Sequence, residues 1–233
     1  SVLARYYLPM DFIFKASLGR RVRLPKFHEL FGDQGYVLGN AQLTSEKSLH
    51  YDAGLNWQRK FKSWMRKIRA EVNYFASHHT DLIQFELTSG VARASNLGKA
   101  KIWGVESLLS FEFLEYITLI QNYTYQNAVD KAVNNGNYLV GRPEHEWNTT
   151  LNFDYKGFDA AFHTSLIDNK YLDSLNTQRV NSRLRFDAEI GYLIKDHYRI
   201  SFEAKNITNS QIVDAVGFPL PGRSFFGRVD VIY

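Results

Sequence analysis

The chain has no cysteine at all, and only 5 of its 233 residues are proline. Without thiols there is neither a disulfide framework nor a thiolate metal site. Long hydrophobic runs are missing as well: no segment approaches the roughly 20 apolar residues of a transmembrane helix. That excludes a helical membrane protein but leaves a membrane β-barrel open, because alternating strands do not look hydrophobic on average. Nor is there a block of charge of one sign. The net charge is +4, from 28 Lys and Arg against 24 Asp and Glu, and the cations are scattered through strand patterns, which speaks against nucleic-acid binding. Residues 1–15 lack the basic start, apolar core and small-residue cleavage site of a signal peptide, so an exported chain is expected to carry one upstream.

Aromatic side chains are abundant instead. Phe, Tyr and Trp make up 15% of the chain, and they favour strands and membrane interfaces. Their placement follows a period of two. In 198–206 Tyr198, Ile200, Phe202 and Ala204 alternate with Arg199, Ser201, Glu203 and Lys205. In 183–194 Leu184, Phe186, Ala188, Ile190, Tyr192 and Ile194 oppose Arg183, Arg185, Asp187 and Glu189; four charges on one strand face do not fit a soluble sandwich core, but they suit solvent or a wet lumen. The segment 147–155 repeats the design. Further strands are expected at 157–167, 116–127, 101–111, 66–77, 46–57 and 11–20, with a partial strand before Pro9 and a last one ending at Tyr233. The total is about eleven, and 116–127 is the least decided about its faces.

The connections sort by length. Tight turns at 194–198, Lys156-Gly157, Phe113-Leu114 and Pro9-Met10 alternate with long polar stretches at 207–222, 168–182, 128–145, roughly 78–99 and 21–45. Transmembrane barrels sort their loops in this way, short on the periplasmic side and long outside. The fold class is therefore all-β, an antiparallel transmembrane β-barrel whose apolar face meets lipid. Trp57, Tyr155, Tyr192, Tyr198 and Tyr233 would form the girdle near the short turns, with Trp147 in the other. Eleven strands is an odd number, whereas single-chain bacterial barrels have an even count.

Five stretches in order resemble the C-terminal half of a TonB-dependent outer-membrane receptor: LGRRVRLPKFHELFG (18–32), LTSEKSLHYDAGLNW (43–57), NLGKAKIWGVE (96–106), FEAKNITN (202–209) and the closing PLPGRSFFGRVDVIY. The resemblance implies a barrel of about 22 strands around an N-terminal plug, of which residues 1–233 would be the C-terminal part, with the plug and the N-terminal strands absent. It also implies uptake of a scarce ligand, a ferric siderophore, cobalamin or a glycan, at the Gram-negative outer membrane. Energy would come from the TonB complex through a region N-terminal to this chain. Expected partners are outer-membrane lipid, the barrel-assembly machinery, and the missing barrel and plug or a complementing chain. In the closing strand, Phe225, Gly227, Val229, Val231 and Tyr233 resemble the signal read by that machinery. The alternative is a passive or structural barrel subunit, one part of a split receptor included; a soluble β-protein is the third reading.

Candidate residues follow from position. Tyr36, Tyr138, Arg142, Arg179 and Arg183 fall in loops or at their strand ends, and Tyr and Arg suit chelated, anionic or aromatic ligands. Glu106, Arg183, Arg185, Asp187 and Glu189 should point into the lumen, either toward plug and ligand or into mutual ion pairs. His78 and His79 would face opposite sides and share no ion, and the other five histidines have no ligand spacing, so no metal site and no cofactor are expected. No GxSxG, HExxH or phosphate-cradling glycine loop is present, and no catalytic residue is assigned; an enzyme is not expected, although a Ser/His pair across strands is invisible to sequence. NTT at 148–150 and NIT at 206–208 lie in expected strands and are chance glycosylation matches.

Overall fold

A computed structural model of the chain describes residues 1–33, 36–88, 90–132, 136–211, 213–215 and 218–232. Its strands are β1 (Val2–Tyr7), β2 (Phe12–Arg23), β3 (Val37–Leu38), β4 (Glu46–Lys60), β5 (Met65–Thr88), β6 (Val91–Phe113), β7 (Ile117–Asp130), β8 (His145–Tyr155), β9 (Phe158–Ile167), β10 (Lys170–Tyr171), β11 (Arg179–Val180), β12 (Arg183–Ile194), β13 (Tyr198–Lys205), β14 (Val213–Ala215), β15 (Phe218–Pro219) and β16 (Ser224–Val231). One short helix, α1 (Phe27–Phe31), follows β2.

Eleven of these strands run side by side in the order β1-β2-β4-β5-β6-β7-β8-β9-β12-β13-β16, and β3 adds to β6. Apart from the short parallel pairing of β3 with β6, every neighbouring pair in this sheet is antiparallel. Each expected strand corresponds to one of the eleven. Tyr233, expected to close the last strand, lies outside the described residues.

Because side chains alternate with a period of two, the register decides which residues share a face. Ile190 lies opposite Phe202 and Ala160, and Phe202 opposite Gly227. Phe162 meets Leu151, Leu151 meets Leu119, and Leu119 meets Phe111. Leu55 sits between Phe14 and Val72. One apolar face thus crosses the whole sheet, and its members Val72, Leu151, Ile190, Phe202 and Val229 are all exposed. The opposite face is polar.

Three of the tight turns share a backbone geometry. Lys156 and Gly157 have φ of 50° and 80°, Met10 and Asp11 59° and 66°, and Lys195 and Asp196 50° and 59°. Paired positive φ values suit hairpin turns whose twist matches that of the flanking strands. A further tight turn at residues 61–64 joins β4 to β5.

At the other end the structure corrects one expectation. Residues 78–99 are not a long loop: β5 and β6 remain paired from Lys67 with Glu112 to Thr88 with Val91. Asp81, at φ 56°, interrupts the alternation just after the polar run His78-His79-Thr80, which hides the continuing strand. With 24 and 23 residues, β5 and β6 exceed the roughly 9–11 residues of a tilted membrane crossing and project past their neighbours.

Candidate ligand-facing wall and loop crown

Three strand ends meet on the polar face beside α1. Arg23 closes β2 opposite Glu46, which opens β4. The Arg23 Nε donates to Glu46 Oε2 at 3.0 Å, while Nη1 reaches both Glu29 oxygens at 3.0 Å. Glu29 also accepts the Lys26 amide at 2.6 Å, which stops the first turn of α1 from fraying. Burial pushes the Glu29 carboxyl up, but the Lys26 amide and the Arg23 guanidinium outweigh it and hold the group below the usual carboxylate range.

The second oxygen of Glu46 lies 3.1 Å from His79 Nδ1, and His79 Nε2 lies 2.9 Å from Ser77 Oγ. With Nδ1–H serving the carboxylate, Nε2 accepts the serine hydroxyl. Ser77, His79 and Glu46 therefore have the connectivity of a charge relay. Ser77 is only 5% exposed, however, and Glu46 is already shared with Arg23. The chain of bonds ties α1 and the connection 24–45 to the wall. His50, on the same face, donates or accepts at 2.7 Å from Ser48 and sets its ring edge-on to His79 at 5.4 Å. His78 points to the apolar face and stacks on Tyr51, as its neighbour's opposite orientation requires.

The connection 131–144 folds back over the polar face. The Leu139 amide donates to the Ala128 carbonyl at 2.9 Å, and Leu139, 3% exposed, packs with Leu82, Leu97, Ala100, Ile102 and Ala128. Burying these side chains between loop and wall anchors the loop. Beyond that anchor the connections 131–144 and 168–182 are joined. The Tyr138 amide donates to Asn176 Oδ1 at 2.7 Å, Asn176 Nδ2 returns a bond to the Tyr138 carbonyl at 3.0 Å, and the Gly141 amide donates to the Tyr171 carbonyl at 2.8 Å. Asp173 accepts from the Gln178 amide at 2.6 Å and from Thr177 through both amide and hydroxyl. Burial alone would raise its carboxyl; these donors lower it below the ordinary range.

The sequence candidates divide accordingly. Tyr138 belongs to the joined loops: its hydroxyl donates to Glu144 at 3.0 Å and its ring stacks on Tyr171 at 5.8 Å. The bond to Glu144, then burial, raises the phenol above its usual range. Arg179 is exposed opposite Tyr171 in the β10–β11 pair. Arg142 is exposed and lines a cavity of about 260 Å³ with Leu82, Phe85 and Leu139. Arg183 opens β12 on the polar face, opposite Ile167. Tyr36 stands apart, 67% exposed in the connection 24–45, where its carbonyl accepts the Ala92 amide at 2.8 Å.

Lower on the polar face, charges pair among themselves. Arg199 reaches Asp159 at 2.6 Å and Glu189 at 2.9 Å, and Arg185 reaches Asp187 at 3.1 Å. Glu106 is exposed there. Phe225, Gly227, Val229 and Val231 share the apolar side of β16. Among the described residues no group of three His, Cys, Asp or Glu could hold a metal ion.

A sheet with one continuous apolar face, one ion-paired polar face, tight turns at one end and a folded loop crown at the other is the wall of a membrane barrel. Residues 1–207 match the family described as TonB dependent receptor-like, beta-barrel. The chain belongs to the TonB-dependent receptors. Its apolar face is therefore the lipid-facing surface in the Gram-negative outer membrane, its polar face lines the lumen, and the long connections are extracellular. Solved receptors share the fold. The copper transporter OprC superposes with a TM-score of 0.75 at 18% identity, over 97% of this chain and 38% of its own. The siderophore receptor PirA from Acinetobacter baumannii gives 0.73 at 19% identity, over 97% and 39%. For the ferric yersiniabactin uptake receptor FyuA from Yersinia pestis the figures are 0.71, 18%, 98% and 34%. The chain thus spans little more than a third of the length of these receptors.

Proposed function

We propose that this chain supplies lumen wall and extracellular loops to a receptor that takes up a ferric siderophore or a chemically similar anionic chelate, with energy from TonB through a region outside these 233 residues. The observation that carries the reading is the crown in which Tyr138, Tyr171, Arg142 and Arg179 gather on two hydrogen-bonded loops above a polar wall. Aromatic faces and guanidinium forks are the groups that bind aromatic, multiply charged chelates. PirA and FyuA carry siderophore names and OprC a copper name, so a copper complex is the next ligand to try. The closing strand β16, with its apolar row, suits recognition by the barrel-assembly machinery.

Uptake of labelled ferric siderophore by the native bacterium tests the reading. Loss of uptake on deleting the receptor, and equally on deleting TonB, is expected. Uptake that survives loss of TonB would mean a passive barrel and overturn it. We further infer that the Ser77-His79-Glu46 chain is structural rather than catalytic. The purified receptor should not hydrolyse a p-nitrophenyl ester above background, and an esterase activity abolished by Ser77→Ala would show otherwise.

A further inference from the structure

β7 is the strand whose faces alternate least cleanly, and the reason lies on its lipid side. Leu119 sits between Phe111 and Leu151 on the apolar face, and two residues on the same face carries Gln121. The register sets Gln121 between Leu109 and Thr149, and Thr149 opposite Thr164. Ser107 stands in the next row, between Val72 and Tyr123. Ser107, Gln121, Thr149 and Thr164 thus form a polar patch across four adjacent strands, β6 to β9, each half-buried among its neighbours. A hollow of about 120 Å³ opens within the patch, lined by Ser107, Leu109, Gln121, Tyr123 and Trp147.

Depth makes this patch costly. Gln121 lies five residues beyond Tyr116 at the tight-turn end, and Thr149 and Thr164 each lie six residues from Tyr155 and Phe158, the turn-side ends of their strands. A strand that rises ~3.3 Å per residue and tilts by ~45° lifts these side chains about 12–14 Å above the turns, near the middle of an apolar band roughly 25 Å tall. No water is available there to a polar group. The Trp147 Nε1 donates to Thr149 Oγ1 at 2.9 Å, so that hydroxyl has a partner. Among the described residues, the side chains of Ser107, Gln121 and Thr164 have none. A carboxamide holds two donor hydrogens and an acceptor oxygen, and Gln121 is therefore the most expensive of the three to leave against acyl chains.

We propose that this patch is the contact surface of a lateral dimer, covered by the same patch of a second copy of the receptor. Copies in one membrane share one orientation, so a closed pair has its two-fold axis along the membrane normal. That axis returns every residue to its own depth. Polar groups at mid-depth in one copy then face polar groups at mid-depth in the other, and a carboxamide, donor and acceptor at once, is complementary to itself. An unrelated barrel offers no such match of depth. Within a bilayer, hydrogen bonds and close packing rather than apolar burial drive association, and the hollow beside Ser107 admits a side chain of the second copy. β6 to β9 lie in the middle of the eleven-stranded row, so the surface is complete within this chain.

The test uses the full receptor in its native outer membrane. These 233 residues contain no cysteine, so single cysteines report proximity once any cysteine elsewhere in the receptor is replaced by serine. Four variants are treated with a short, membrane-permeant bis-methanethiosulfonate: Q121C and T164C in the patch, F202C on the lipid face away from it, and N122C on the lumen face. The two patch variants should give a species of twice the receptor's mass, at least about tenfold faster than F202C or N122C. In vesicles, energy transfer between labelled copies should show Q121L pairing about tenfold more weakly than wild type, and N122L pairing like wild type. Each variant is first checked for heat-modifiable mobility, and should Q121C misfold, T164C decides by the same criterion. Absence of the doubled species, equal rates at F202C, or Q121L that pairs like wild type would overturn the proposal. A cross-linked species of any other mass would also overturn it, in favour of a different partner protein.

Discussion

Glu46 serves two partners at once, the Arg23 guanidinium and the His79 imidazole, and it is 8% exposed while doing so. Glu46→Gln keeps the shape but removes the charge that strengthens both bonds, so it should lower stability by about 2 kcal/mol. The midpoint of urea unfolding in detergent measures this, and an unchanged midpoint would mean that the network is decorative. Asp173 provides a pH test. Its folded carboxyl titrates below the ordinary range, so its contribution is present above the unfolded carboxylate value and is lost as pH falls through the lower, folded value. Amide exchange at Thr177 and Gln178 should be protected at neutral pH and released in acid. Asp173→Asn should already exchange fast at neutral pH; slow exchange there would sink the assignment. Neither residue was singled out from sequence. Glu46 and His79 are 33 positions apart, and no local pattern marks such a pair.

A strand in this sheet has two unlike solvents, and each side chain is committed to one of them. Ile190 and Phe202 are neighbours on the lipid side, whereas Asn152 faces the lumen opposite Ala161 and Thr118. Ile190→Arg or Phe202→Arg should cost about 2–4 kcal/mol if near the bilayer midplane, and Asn152→Arg should cost little. Folding titrations into lipid vesicles compare the three, and equal tolerance would refute the face assignment. The period of two made nearly all of these strands legible, because alternation is imposed by the backbone itself. It failed at Asp81, where one left-handed residue shifts the pattern and makes a continuing hairpin look like a loop. It also understated the loop 131–144. The signal there is Ala100, Ile102 and Ala128, apolar residues on an otherwise polar face, which mark wall that something must cover.

At the scale of the whole molecule, β1 and β16 each have one neighbour among the described residues. An unpaired strand edge in hydrocarbon leaves backbone donors and acceptors unsatisfied, at several kcal/mol for each group. The 233 residues expressed alone should therefore self-associate or fail to give a heat-modifiable monomer. A stable monomer with protected β1 and β16 amides would show instead that the two edges close on each other. The same scale explains the division of the candidate site. Tyr138, Arg142 and Arg179 come together because two extracellular connections are hydrogen-bonded, while Tyr36 remains on the connection that Arg23 and Glu29 hold to the wall.

By itself the sequence determined the eleven long strands of the wall, the face of most of their side chains and the sides on which most turns and loops lie. Those properties depend on alternation and turn chemistry, which act between residues close in the chain. Only the tertiary structure decided which charges neutralise one another and which are left clustered. Arg199 is paired on the lumen face, whereas Arg20, Lys47, Lys99 and Lys101 gather unpaired on the lipid face. Coulomb energy depends on distance in space, and strand register alone brings these cations from three strands onto one patch.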